Sequence, residues 1–263
     1  MAAKSRKSGR ARTLSVMRPT TALVTGASGG IGAEICRVLA GRGATVLLHY
    51  RSEQASAEAV RAQLPGEAHA TVQADLGDPA QVLHLWQQLA QRGPIDVLVN
   101  NAGIFPNHPP LTTAYPDWTL AWQQTLSTNL IGAAHLSYCA ARDMAQRKGG
   151  GRIVNVSSRA AFRGEPGAPA YAASKAGLNA FSQSLAKSLA PRGVYVFVVA
   201  PGWVSTQRVA EAIADKAVLA DQPLGRVATP QEVAEVVGYC ALDAPASMTG
   251  AILDVNGASY LRT

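Results

Sequence analysis

The feature that most constrains this chain is a short β-prone run at residues 21–25 that breaks into Gly26-Ala27-Ser28-Gly29-Gly30-Ile31-Gly32 and passes straight into helix-compatible sequence at 33–39. Strand, glycine turn and helix in that order open a βαβ unit. The alternation then continues. Apolar runs at 45–49, 69–73, 95–100, 152–157, 194–200 and 251–255 predict strands, and the segments at 53–64, 79–91, 118–148, 171–189 and 230–242 predict helices. Regular alternation of this kind predicts an α/β fold: a single-domain, Rossmann-like, doubly wound parallel sheet of about seven strands with helices on both faces.

In open sheets of this type, ligands bind beyond the carboxyl ends of the strands, near the point where strand order reverses. The chemically suggestive residues fall there. Gly26 to Gly32 follows the first strand, Tyr50-Arg51-Ser52 the second, Asp75-Leu76 the third, Asn100 to Gly103 the fourth, Ser157-Ser158 the fifth, and Pro201 to Thr206 the sixth. All are expected on one rim.

The chain has 263 residues, of which 48% are hydrophobic, enough to bury a full core. No run approaches the roughly 20 apolar residues of a bilayer-spanning helix, and a soluble, cytoplasmic protein is expected. Cys36, Cys139 and Cys240 are an odd number at wide spacing, which fits reduced thiols better than disulfides or a metal site. The net charge of +7 is concentrated at the start, because Lys4, Arg6, Lys7, Arg10 and Arg12 precede Met17 with no acidic residue among them. Residues 1–17 are therefore expected to form a disordered basic tail ahead of a domain at 18–263, and nucleic-acid binding is not expected.

Glycines between a strand and a helix permit a tight turn and let helix N-terminal N–H groups approach a pyrophosphate, which assigns Gly26, Ser28, Gly29, Gly30, Ile31 and Gly32 to a dinucleotide. Charge after the second strand selects which one. An acid there would bond the ribose 2′-hydroxyl of NAD, whereas an arginine offers a forked donor to the 2′-phosphate of NADP. The position expected to carry the acid is Tyr50, and Arg51 and Ser52 follow it, so NADP(H) is predicted.

Tyr171 and Lys175 are four residues apart on a predicted helix and share a face. A tyrosine's reference pKa of about 10 is too high for proton exchange near neutrality, and a neighbouring ammonium lowers it. Tyr171 is thereby suited to act as a general acid in reduction and a general base in oxidation.

With Asp75-Leu76, Asn100-Asn101-Ala102-Gly103, Asn129, Ser158, Pro201-Gly202-x-Val204-x-Thr206 and Pro223-Leu224-Gly225-Arg226 added, the chain resembles the short-chain dehydrogenase/reductase family from about Thr20 to Gly257. Within that family it is most similar to bacterial 3-oxoacyl-(acyl carrier protein) reductases and related ketoreductases. The resemblance implies that Asp75 and Leu76 hold the adenine and that Asn101, Ala102 and Gly103 lie along its ribose. It further implies that Pro201, Gly202, Val204 and Thr206 line the nicotinamide end. Lys175 would bond the nicotinamide ribose, Ser158 the substrate carbonyl, and Asn129 a water leading from Lys175 to solvent. Gly29 departs from NADP-preferring relatives, which often carry a basic residue there. A homotetramer, or at least a dimer, is implied as well.

Loops at 105–116, 160–167 and 203–221 are expected to shape the substrate cleft, with Phe105, Phe162 and Trp203 read equally as apolar walls or as core and lid packing, and Arg163 opposite an acidic group. Arg147, Lys148 and Arg192 form a candidate basic surface for an acidic acyl carrier protein, although ordinary solvated side chains are the stronger expectation for any one of them. Carrier-linked 3-oxoacyl reduction is the leading expectation. A free-ketone or polyketide-type reductase is the alternative, and a non-catalytic NADP(H)-binding regulator comes after both.

Overall fold

A computed structural model describes residues 19–207 and 216–262. The basic segment 1–17 and part of the 203–221 loop lie outside the described residues.

Seven parallel strands form one sheet in the order β3-β2-β1-β4-β5-β6-β7. They are β1 (Thr21–Val24), β2 (Thr45–Tyr50), β3 (Ala70–Gln73), β4 (Val97–Asn100), β5 (Gly151–Val156), β6 (Val194–Pro201) and β7 (Ile252–Val255). Every strand foreseen from the sequence is present. Strand order reverses between β1 and β4, whose registers pair Ala22 with Val97 and Val24 with Val99. Both faces are covered, which is why β1, β4 and β6 are buried almost throughout.

Alternate residues of each strand feed two separate cores. Val24, Leu48, Val99, Val154 and Val199 pack under α1 (Gly30–Gly41) and α9 (Pro230–Leu242), while Leu23, Leu47, Leu98, Ile153 and Val196 pack under α3 (Pro79–Ala90) and α5 (Ala133–Met144). The helix starts are specified locally. Asp78 caps α3 by accepting from the Ala80 and Gln81 N–H groups, and Thr229 with Glu232 forms a capping box on α9, each with proline at the first helical position. Helix α2 (Gln54–Ala62) links β2 to β3, α7 (Pro169–Leu189) links β5 to β6, and the short α8 (Lys216–Ala220) precedes α9.

Two helical features differ from the expectation. The long helix expected over 118–148 begins earlier, as α4 (Tyr115–Leu126), passes through a π-helical stretch at Ser127–Gly132, and resumes as α5. The segment 160–167 contains a short helix, α6 (Ala160–Arg163). Among the described residues, no helix is long and apolar enough to cross a membrane.

Candidate functional site

The glycine turn sits where β1 meets α1. Gly26 and Gly30 have φ of +64° and +54°, a region that L side chains rarely adopt. A Cβ on Gly32 would lie 2.1 Å from the Gly26 carbonyl oxygen, so the turn closes on itself too tightly for any side chain. Around Gly29, by contrast, the space is open. The result is a backbone cradle at a helix N-terminus, facing outward and fitting a phosphate-bearing ligand.

Three side chains staple this cradle to neighbouring strands. Thr25 Oγ1 accepts from the N–H groups of Asn101 and Ala102 at 2.9 and 3.0 Å, and Asn101 Nδ2 donates to the carbonyls of Thr25 and Gly26. His49 was not foreseen. Its Nδ1 accepts from the Gly26 N–H at 3.3 Å while Nε2 donates to the Ala74 carbonyl at 3.0 Å, which fixes a neutral ring bridging β1, β2 and β3. Burial pushes its pKa down to about 4.

A cleft of about 490 Å³ runs along the carboxyl rim. Gly26, Ser28 to Gly32, Arg51 and Ser52 line one end, Asn101, Ala102 and Gly103 the middle, and Ser158, Tyr171 and Lys175 the other, with Pro201, Gly202, Val204 and Thr206 above. Thr206 reaches over to Gly30, where its Cγ2 would stand 3.4 Å from an added Cβ. Arg51 is exposed, and its guanidinium meets no carboxylate among the described residues. Tyr50, Asp75 and Leu76 stand outside the lining. Tyr50 and Leu76 are buried, and Asp75 Oδ1 accepts from the Gly77 N–H.

At the far end, Lys175 is buried on α7 and donates from Nζ to the Val156 carbonyl at 2.7 Å. Burial lowers its pKa to about 8. The Tyr171 ring lies one turn earlier, edge-on to Phe105 at 4.8 Å between centroids. Ser158 Oγ accepts from the Ala160 N–H, which holds the hydroxyl at the start of α6.

Asn129 is also brought to this end, but its side chain is engaged. Oδ1 accepts from the Ile104 N–H at 2.8 Å, and Nδ2 donates to the Ile104 carbonyl and to Ser174 Oγ. The π-helical stretch turns Asn129 inward so that it clamps the loop after β4 against α7. Gly103 lies between Asn129 and Lys175, both within 4 Å of where its Cβ would be.

The sheet beneath carries a buried ladder that sequence reading missed: Asn100 Nδ2 donates to Ser137 Oγ and Asn155 Oδ1, and Asn155 Nδ2 donates to Ser182 Oγ. Such groups fall at apolar-run positions and carry no local sequence signal. His108, in the proline-rich loop, was missed as well. Its ring bridges the Pro106 carbonyl and the Ala170 N–H, tying the proline-rich loop to the first turn of α7.

Phe105 and Trp203 line the cleft as expected, but Phe162 stacks on Tyr260 with Arg262 over its ring. Arg147 is not a free docking cation: it pairs with Asp96 at 3.0 Å and is three-quarters buried. The three cysteines are unpaired, with Cys36 and Cys240 buried and Cys139 partly so.

The sequence profile of the short chain dehydrogenase family matches residues 20–217. The 3-oxoacyl-acyl-carrier-protein reductase FabG of Escherichia coli is 39% identical over 244 residues, covering 91% of this chain and 97% of the relative. Its counterpart from Haemophilus influenzae is 37% identical over 249 residues, covering 93% and 100%. The cis-4-hydroxycyclohexanecarboxylate dehydrogenase of Sinomonas cyclohexanicum is 39% identical over 239 residues, covering 90% and 94%.

Proposed function

Since the chain belongs to the short-chain dehydrogenase family and is an oxidoreductase, we propose that it is an NADP(H)-dependent ketoreductase that converts a 3-oxoacyl thioester to the 3-hydroxyacyl product. The observation that carries this reading is a single cleft with a phosphate cradle and an arginine that meets no carboxylate among the described residues at one end, and Ser158, Tyr171 and Lys175 at the other. The thioester is favoured by the FabG relatives, which are named for that reaction on acyl carrier protein. An acyl carrier protein partner, a cytoplasmic location and a homotetrameric assembly belong to the same reading.

The residues would act as follows. Gly26 to Gly32 hold the pyrophosphate through backbone N–H groups, and Arg51 with Ser52 bonds the 2′-phosphate. Asn101 and Gly103 lie along the adenine ribose and Val204 and Thr206 at the nicotinamide, while Asp75 and Leu76, outside the cleft lining, would close the adenine end from behind. The bound nicotinamide supplies the hydride. Ser158 donates to the substrate carbonyl oxygen and Tyr171 protonates it, so the charge developing there meets two donors already in place. Lys175 keeps positive charge beside the phenol and orients the ribose hydroxyls. Asn129 acts by positioning the loop after β4 against α7.

A second reading, reduction of a free ketone, is supported by the Sinomonas relative, whose named substrate is a hydroxylated ring acid. The test is NADPH oxidation followed by absorbance with acetoacetyl-CoA and a panel of free ketones, repeated with NADH. Turnover of the thioester with NADPH is expected. Activity on free ketones alone would move the protein to the second reading, and tight NADPH binding without any turnover would make it a regulator.

A further inference from the structure

We propose that Arg159 is a specificity residue that selects ketones bearing a carboxylate, meeting that group inside the cleft next to Ser158. The inference rests on ketone reduction at this site and sides with the free-ketone reading, since a 3-oxoacyl thioester carries no carboxylate beside its ketone.

Arg159 directly follows Ser158 and lines the same cleft, yet its side chain is only 10% exposed. Its backbone is fixed, since the N–H donates to the Pro201 carbonyl at 2.8 Å. A guanidinium carries five N–H donors in a rigid fork that matches a carboxylate. Arg159 uses very few of them. Nη1 donates to the neutral Ser259 Oγ at 2.6 Å and reaches Asp221 Oδ2 only at 3.4 Å. Among the described residues, Nε and Nη2 have no hydrogen-bond partner, and neither is sealed from solvent.

The available acids do not close this gap. Asp221 lies closer to Arg163, at 2.9 Å, and is half exposed. Glu165 also lines the cleft, but no hydrogen bond joins it to either arginine, and burial pushes its carboxyl up against the pull of Arg159 and Arg163. Burial likewise lowers the pKa of Arg159, partly offset by Asp221. A buried cation so weakly paired is costly by itself. An incoming carboxylate would complete its fork bidentately and displace the 3.4 Å contact with Asp221.

The test measures kcat/KM with NADPH for 4-oxocyclohexanecarboxylate and for its primary amide, which differs mainly in charge, with acetoacetyl-CoA alongside. The wild type should prefer the acid by roughly 30-fold or more, the scale of a charge-assisted pair. Arg159→Gln should collapse that acid-to-amide ratio toward one. Asp221→Asn, a change at a half-exposed side chain, should raise the ratio by removing a competing carboxylate, and it keeps the test open if the Arg159 variant does not fold. Reduction of acetoacetyl-CoA without preference for the acid, including failure on both ring ketones, would overturn the assignment and leave ketone reduction standing. A preference that survives Arg159→Gln, or that Asp221→Asn leaves unchanged or lowers, would overturn it too. Loss of all three activities would overturn ketone reduction first, and the assignment with it.

Discussion

Lys175 and Tyr171 face each other one turn apart on α7, with Nζ 5.7 Å from the centre of the Tyr171 ring. The lysine is 3% exposed and holds one backbone carbonyl, so its charge is kept inside the protein at a cost. A group that costs stability where a catalyst would need it is the pattern of a functional rather than a structural residue.

That cost is measurable. The folded pKa of Lys175 is about 8 against 10.5 for the free side chain, so the penalty is fully present below pH 8 and fades as pH rises to about 10.5. Its size is about 3 kcal/mol, and Lys175→Met returns it less about 1–2 kcal/mol for the orphaned Val156 carbonyl. Urea unfolding at pH 7 should therefore show Lys175→Met more stable than wild type by about 1 kcal/mol, with the gap closing above pH 8. A less stable variant would contradict this account of the site.

His49 follows the same sign in an acidic window, so that its penalty is absent at neutral pH. Its neutral ring accepts from Gly26 and donates to Ala74, and its pKa falls from 6.5 to about 4. The unfolded chain takes up a proton near pH 6.5 while the folded protein resists until about pH 4, so stability is lost as pH drops through that window. Between pH 7 and pH 5 the loss attributable to His49 should be about 2 kcal/mol. His49→Gln should flatten that part of the profile in urea titrations at several pH values; an unchanged slope would remove His49 from this role.

Among the described residues, Arg51 is the one cation beside Ser52 at the cradle end of the cleft. Arg51→Asp should weaken NADPH binding by about 10- to 100-fold, the scale of a lost charge-assisted hydrogen bond, and leave NADH little affected or improved. Fluorescence titration with both cofactors reads this directly. A variant with unaltered preference would place the phosphate site elsewhere.

How far the sequence reaches can be judged from these residues. The strands were legible because both sheet faces are buried, which leaves uninterrupted apolar runs, and the glycine turn was legible because only glycine fits at Gly26 and Gly32. Tyr171 and Lys175 share a helix face as their spacing predicts, but only their occurrence in order with the glycine turn, Asn129 and Ser158 singled them out. Asn129 was found through family resemblance, but its bonds to Ile104 and Ser174 were not, because a π-helical stretch changes which face a residue takes. His49, His108 and Asn155 escaped for another reason: each bonds a group 25 or more residues away, Ala74, Ala170 and Ser182 respectively, and no local pattern encodes those pairings.

The central claim is that Tyr171 delivers the proton during ketone reduction, and the most direct measurement is the NADPH-dependent reduction of acetoacetyl-CoA by Tyr171→Phe beside wild type, with NADPH affinity determined on both. The account predicts a fall in kcat of about 100- to 10,000-fold with NADPH affinity changed little, since the phenyl ring keeps its packing against Phe105. A variant that keeps most of its turnover would contradict it.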